Sequence, residues 1–235
     1  MPDKRKTAPA RAHAAVKPRR RLSTEEREKQ IVEGAVQFFS EHGLAAQMRD
    51  LAKEIGITHP LLYHYFPTKQ ALIERVYEEV YLGRWKREWE QWVTEPDVPL
   101  EHRLTRFYND YARTILTRDW VRILLLSGMK DSYIPKKYLA LLRRRLFPLI
   151  IRETRAHLGL LSPHKPTEME LEHLWGLHGG IFYIGIRVFV YGQAFPHDLD
   201  QTIGDRVHAF IQSAGDIFTA SHPARSPARS GSSPA

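Results

Sequence analysis

An all-α architecture, with a small three-helix unit at the N-terminus and a larger helical body behind it, is what the sequence predicts. Between Ser23 and Ser221 apolar residues recur mainly at spacings of three and four, the period of a helix that buries one stripe. No alternating apolar and polar run bounded by hairpin-turn residues interrupts them, so strands are not expected. Two short helical patterns meeting around Gly56 mark off the N-terminal unit.

The first helix announces itself at Ser23, whose hydroxyl can cap the amides that follow, and Glu26 three residues on completes a capping box. It runs to about Glu41 on an inward stripe of Ile31, Ala35, Phe38 and Phe39, and Gly43 supplies its stop. A short helix over 47–54, a turn at Gly56 and a second short helix over 58–65 follow, and Pro67 then punctuates the chain. A long helix is expected over 68–93, before Glu95, Pro96, Asp97 and Pro99 break it. Further segments are expected at 99–117, 119–128 and 136–158, the last interrupted or kinked near Pro148 because proline removes one ladder bond. Helices over 167–192 and 198–220, separated by Gly192 to Pro196, complete the body.

The formal charge is +8, unevenly placed. Residues 1–22 carry Lys4, Arg5, Lys6, Arg11, Lys17, Arg19, Arg20 and Arg21 against Asp3 alone, while the body from Ser23 to Ser221 holds 25 bases against 26 acids. A basic arm beside a near-neutral body suits a nucleic-acid partner. Residues 1–22 and 222–235 are rich in small, polar and proline residues with no apolar period, and read as disordered ends. The expected division is therefore an arm over 1–22, an N-terminal domain over 23–70, a helical body over 71–221 and a tail over 222–235.

The absence of cysteine removes disulfides, thiolate metal sites and cysteine nucleophiles together. The N-terminus lacks the apolar stretch of a secretion signal. The most apolar run, Ile181 to Tyr191, is interrupted by Gly185 and Arg187 and falls well short of the ~20 residues that span a bilayer. A soluble, cytoplasmic protein with no membrane partner is expected.

Leu51 to Tyr63 carries the most specific pattern. Two short helices crossing steeply need a small residue where their backbones approach, a glycine in the turn and apolar residues inside. Ala52, Gly56, and Leu51, Ile55, Ile57 and Leu62 fill those roles. Thr58 can cap the second helix, and Pro60 sits in its first turn, where a missing N–H costs nothing. The outer face then offers His59, Pro60, Leu61, His64 and Tyr65, flanked by Tyr63 and Lys69, tips able to reach base edges and phosphates.

Phe39, Gly43, Ala52, Gly56, Leu62, Tyr63, Phe66, Lys69 and Leu72 stand at fixed spacings, and over about Gln30 to Leu72 the chain resembles the TetR family of regulators. The resemblance implies a DNA-binding helix-turn-helix domain followed by a dimerisation and ligand-binding domain. It also implies that Thr58, Tyr63 and Lys69 hold phosphates and that the helix over 58–65 lies in the major groove. One departure is local: Ala45, Ala46 and Gln47 stand where family members usually place Thr or Ser, which leaves Gln47 or Arg49 to supply that contact. By the same resemblance the protein is a bacterial, nucleoid-associated repressor. It binds a palindromic operator as a homodimer through 167–192 and 198–220 and is released by a small molecule. The rival reading is a small-molecule binding protein whose DNA binding is weakened or non-specific. An apolar surface of Leu174, Leu177, Ile181, Ile184 and Val188, interrupted by Gly176, Gly179, Gly180 and Gly185, is expected at the dimer contact with the stripe Ile203, Val207, Phe210, Ile211 and Ile217.

Aromatic residues crowd the middle of the chain, and Phe107, Tyr108, Tyr111, Trp120, Trp175, His178 and Phe182 are the expected lining of a pocket for a small hydrophobic or aromatic effector. No cofactor is expected. His173 and His178 are five apart, which turns them away from one another on a helix, and Glu101, His102, Glu168, Glu170 and Glu172 form no better ligand set, so no metal site is expected. No phosphate-binding glycine loop or nucleophile elbow is present, and no catalytic residue is assigned.

Overall fold

A computed structural model describes residues 22–129, 132–160 and 163–221. The expected basic arm and C-terminal tail lie outside the described residues, apart from Leu22. Within them are α1 (Thr24–His42), α2 (Met48–Glu54), α3 (His59–Tyr65), α4 (Lys69–Tyr77), α5 (Glu88–Val93), α6 (Leu100–Ile115), α7 (Arg118–Gly128), α8 (Tyr133–Leu141), α9 (Phe147–His157), α10 (Glu168–Phe189) and α11 (Leu199–Ser221). No strand occurs among the described residues, and no helix there is long and apolar enough to cross a membrane.

Local chemistry accounts for the ends of several helices. The Ser23 hydroxyl accepts from the Glu26 amide at 3.1 Å while the Glu26 carboxylate accepts from the Ser23 amide at 2.8 Å, the reciprocal box expected from the sequence. Thr167 and Glu170 build a second such box at the start of α10, which the sequence reading did not assign. Thr68 caps α4 by accepting from the Ala71 amide at 3.1 Å.

The expected long helix over 68–93 is corrected by the structure. α4 passes into a π-helical turn over Glu78–Leu82, closed by the Gly83 amide donating to the Glu78 carbonyl at 2.7 Å, and α5 starts only at Glu88. The three- and four-residue spacing of Tyr81, Trp85, Trp89, Trp92 and Val93 runs unbroken across Gly83, so periodicity conceals the break. Its consequence is that Trp89 is fully buried against α6, its indole donating to Asp110 at 2.7 Å beside Lys86. The expected helix over 136–158 starts earlier, at Tyr133, and is interrupted near Pro148 as expected. A second π-helical turn occupies Leu142–Leu146, and Pro148 lies in the first turn of α9.

α10 packs along α11, α6 covers α11 from the other side, and α7 lies between α1 and α10. Leu174, Leu177, Ile181 and Ile184 of α10, with Ile203, Val207, Phe210 and Ile211 of α11, are buried inside the protomer. The apolar residues expected at a dimer contact are thus spent on intramolecular packing. What α10 leaves outside is a different face, with Glu172, Gly176 and Tyr183 exposed and Gly179 half-buried.

Candidate nucleic-acid interface and buried aromatic cluster

Ile31, Ala35, Phe38 and Phe39 of α1, Met48, Leu51 and Ala52 of α2 and Leu62 of α3 form one buried seam. Burial on this scale, worth about 25 cal/mol per Å² of apolar area, fixes α3 by its inner side. Gly56 turns the chain at φ 70°, a left-handed conformation that a side chain would strain, and the Ile57 amide then donates to the Ala52 carbonyl at 2.9 Å. Gly34 is where α1 and α2 meet most tightly, since a Cβ there would lie 2.3 Å from Ile55 Cγ2. Gly34→Ala is therefore expected to destabilise the domain by about 1–3 kcal/mol, because a β-branched side chain cannot swing aside. Thermal unfolding of Gly34→Ala and of Gly34→Ala with Ile55→Ala checks this, and an unrescued double variant would locate the strain elsewhere.

The Thr58 hydroxyl accepts from the Leu61 amide at 3.3 Å, so the expected cap of α3 is present, with Pro60 in the first turn. Pro60, Tyr63 and His64 are exposed on the outer side, Tyr63 to 39%, whereas His59 and Leu61 are half-buried. The His59 and Tyr63 rings meet edge to face at 4.8 Å, which stiffens this row. Lys69 opens α4, half-buried, immediately behind the Thr68 cap. At the start of α2, Gln47 takes the cap position and makes no side-chain cap bond, so both Gln47 and Arg49 reach solvent.

Residues 31–76, from α1 through α4, match the family model described as bacterial regulatory proteins, tetR family. Residues 31–76 thus carry the TetR-family N-terminal domain. Among solved structures, a TetR-like transcriptional regulator from Rhodococcus sp. RHA1 superposes with a TM-score of 0.62 at 18% identity, covering 83% of this chain and 98% of its own. A tetR-family transcriptional regulator from Streptomyces coelicolor gives 0.56 at 18% identity over 85% and 86%. One from Pseudomonas syringae pv. tomato gives 0.57 at 18% identity over 82% and 96%. At these identities the likeness is one of fold. Among curated protein sequences no relative matches the chain. The matched domain is a DNA-binding domain of bacterial regulatory proteins, with its helix-turn-helix in α2 and α3.

Of the expected effector residues in the helical body, Phe107, Tyr108, Tyr111, Trp120 and His178 are buried and Trp175 and Phe182 half-buried. They converge. The His178 ring lies 5.3 Å from Tyr111, 6.1 Å from Tyr108 and 5.7 Å from Trp175, and Trp120 lies 5.7 Å from Phe182. Burial pushes the His178 imidazole down to about 3, so it is neutral at physiological pH. Sequence reasoning missed Tyr81, Tyr138 and Phe147, which join the same cluster. Nothing in their local spacing separates them from ordinary core residues.

Two bonded routes lead from this cluster to the DNA-binding helices. The Tyr81 hydroxyl, in the π turn that continues α4, donates to the Trp120 carbonyl at 3.0 Å. Two residues along α7, Arg122 donates to the Ser40 carbonyl of α1 at 2.7 Å and pairs with Glu41 at 3.5 Å, joined there by Arg118. The hydrogen bond from Arg118 is the main cause that holds the Glu41 carboxyl below its usual range.

Proposed function

We propose that the chain is a homodimeric repressor whose two copies of α3 enter successive major-groove half-sites of a palindrome, about one helical turn apart, and that a small molecule in the aromatic cluster releases it. The observation that carries this reading is α3 itself: Leu62 buried on one side, and Pro60, Tyr63 and His64 exposed on the other. In it, residues 23–70 are the DNA-binding domain and 71–221 the effector and dimer domain. His59, Pro60, Leu61 and His64 meet base edges, and Gln47, Arg49, Thr58, Tyr63 and Lys69 meet the backbone. A second copy is held through 167–192 and 198–220, on the outward face around Gly176, Gly179 and Tyr183. Open space at the two glycines supports close helix approach there.

Release follows if the effector binds the non-DNA-binding arrangement more tightly, since only differential affinity shifts the two states. Tyr81 and Arg122 support such coupling, because each ties α7 to an element of the DNA-binding unit.

Selection of bound sequences from a random DNA pool at physiological salt tests the reading. A short palindrome is expected. Binding without a motif that vanishes as salt rises would favour the other reading, a small-molecule binding protein with weakened DNA contacts, to which the uncapped start of α2 at Gln47 lends support. On the recovered site, Tyr63→Ala and Lys69→Ala are each expected to weaken binding to all sequences and to reduce the slope of log K against log salt by about 0.9. Exchanges at His59 or His64 should instead change which base pairs are preferred, and unchanged preference in both would remove α3 from the groove.

A further inference from the structure

The interior of the helical body holds polar groups that its own packing does not satisfy. Tyr108 Oη on α6, Trp120 Nε1 on α7 and His178 Nδ1 on α10 are all buried without a hydrogen-bond partner in the protein. They belong to one cluster, because the Tyr138 and Tyr111 hydroxyls are bonded to each other and Tyr111 Oη lies 3.3 Å from His178 Nε2. The Tyr138 ring in turn stands 4.9 Å from that of Trp120. A buried polar atom left unpaired carries its full desolvation penalty, and native interiors hold few of them. Three such atoms, carried by three helices of one aromatic cluster, are open to a ligand that pairs with them.

Both π-helical turns border this cluster. Tyr81 of the first lies 5.1 Å from Trp120 and 5.5 Å from Tyr138, and the second leads into Phe147, 5.4 Å from His178. Such turns recur at functional sites because they re-aim side chains without ending a helix.

The chemistry of the partner follows from the groups presented. The walls are aromatic rings, which suit a flat aromatic body. An indole N–H is a donor only, so the ligand needs an acceptor for Trp120, whereas a phenol and a neutral imidazole nitrogen can both be met by a hydroxyl. Among the described residues no Asp, Glu, Lys or Arg side chain is bonded to Tyr108, Tyr111, Trp120, Tyr138 or His178, and burial keeps His178 neutral. A charged ligand would therefore be buried without a counter-ion, which is strongly unfavourable. We propose that this cluster binds a neutral hydroxylated aromatic molecule, its hydroxyl oxygen accepting from Trp120 Nε1 and its proton shared with Tyr108 or His178. This rests on the effector-released reading above and gives its effector a chemical class.

Three naphthalene probes on the full chain test it, with binding read by intrinsic tryptophan fluorescence and by thermal shift at pH 7.5. 2-Naphthol is expected to bind and raise Tm, naphthalene to bind more weakly, and 2-naphthoate to give no shift. Tyr108→Phe is expected to raise the unliganded Tm slightly, since an unpaired buried hydroxyl is removed, yet to weaken 2-naphthol about three- to tenfold with naphthalene unaffected. Trp120→Phe provides a second variant with the same expected selectivity. Binding of 2-naphthoate as tight as that of 2-naphthol, no binding of any probe, or 2-naphthol affinity unchanged in both variants would each overturn the proposal. The regulator reading is tested separately by DNA selection. A palindrome with no probe bound removes the ligand class and keeps the regulator, and probe binding without a palindrome does the reverse.

Discussion

Replacing Glu170 with alanine is expected to lower the unfolding free energy by about 3–5 kcal/mol, among the largest single-site effects in this chain. Glu170 is 0% exposed and Arg155 4%, and they pair through two bonds, Arg155 Nε to Oε1 at 2.7 Å and Nη2 to Oε2 at 2.6 Å. The guanidinium also donates to the His164 and Lys165 carbonyls, and the carboxylate accepts from the Thr167 amide at 2.7 Å and hydroxyl at 2.9 Å. One pair thus fastens α9, the segment at 164–167 and the start of α10. Alanine would leave a guanidinium buried without its counter-charge, and that uncompensated charge sets the magnitude. Arg155→Ala should cost a similar amount for the mirror reason, whereas Glu170→Leu combined with Arg155→Met should recover much of the loss, because neither charge is then stranded. Urea unfolding of the three variants and the parent decides it. Single variants within about 1 kcal/mol of the parent would mean that water reaches this pair in solution.

The same residues show where a sequence reading reaches its limit. Glu170 appears there only as a weak candidate for a metal, because its partner is 15 positions away on another helix and pairing at that range leaves no periodic trace. The N-terminal unit is the opposite case. The Ser23–Glu26 box, the Gly56 turn, the Thr58 cap and buried Leu62 are all decided within a few residues, so spacing alone placed them. The first π turn escaped because the apolar spacing continues through Gly83, whereas Pro148 marked the second interruption without disclosing that a π turn forms it.

The outward row of α3 and the inward aromatic cluster were legible to different degrees for a physical reason. A groove-facing residue is defined by what it leaves unburied on one short helix, which a helical period reveals. Membership of the cluster is defined by which helices meet, and composition identified Tyr108, Tyr111, Trp120 and His178 only because they are aromatic and central. Tyr138 and Tyr81, equally aromatic, carry nothing in their spacing that separates them from ordinary core residues. The intramolecular burial of the α10 stripe was illegible for a related reason. An apolar stripe on α10 does not disclose whether α11 of the same chain or a second copy covers it, and Leu174, Leu177, Ile181 and Ile184 are covered from within.

Substituting His178 by leucine is expected to make the protein progressively more stable than its parent as the solution is acidified. The imidazole is fully buried among Tyr108, Tyr111, Phe147 and Trp175, and burial alone lowers it from 6.5 to about 3. Above pH 6.5 the group is neutral in both folded and unfolded chains and contributes no pH dependence. Below it, the unfolded chain takes up a proton that the folded chain refuses. Stability then falls by about 1.4 kcal/mol per pH unit until the folded group itself titrates near 3. Leucine has no proton to bind, so between pH 7.5 and pH 5 the difference between variant and parent should shift by about 2 kcal/mol in favour of the variant. The substitution is mild at pH 7.5 because Nδ1 has no bond to lose and Tyr111 keeps Tyr138 as a partner. Carboxylates titrating in the same range act equally on both proteins and cancel in the difference. Urea unfolding midpoints at the two pH values supply the comparison. Parallel pH profiles would show that the imidazole takes up its proton as readily in the folded chain as in the unfolded one, and would return the cluster to an ordinary, solvent-reached interior.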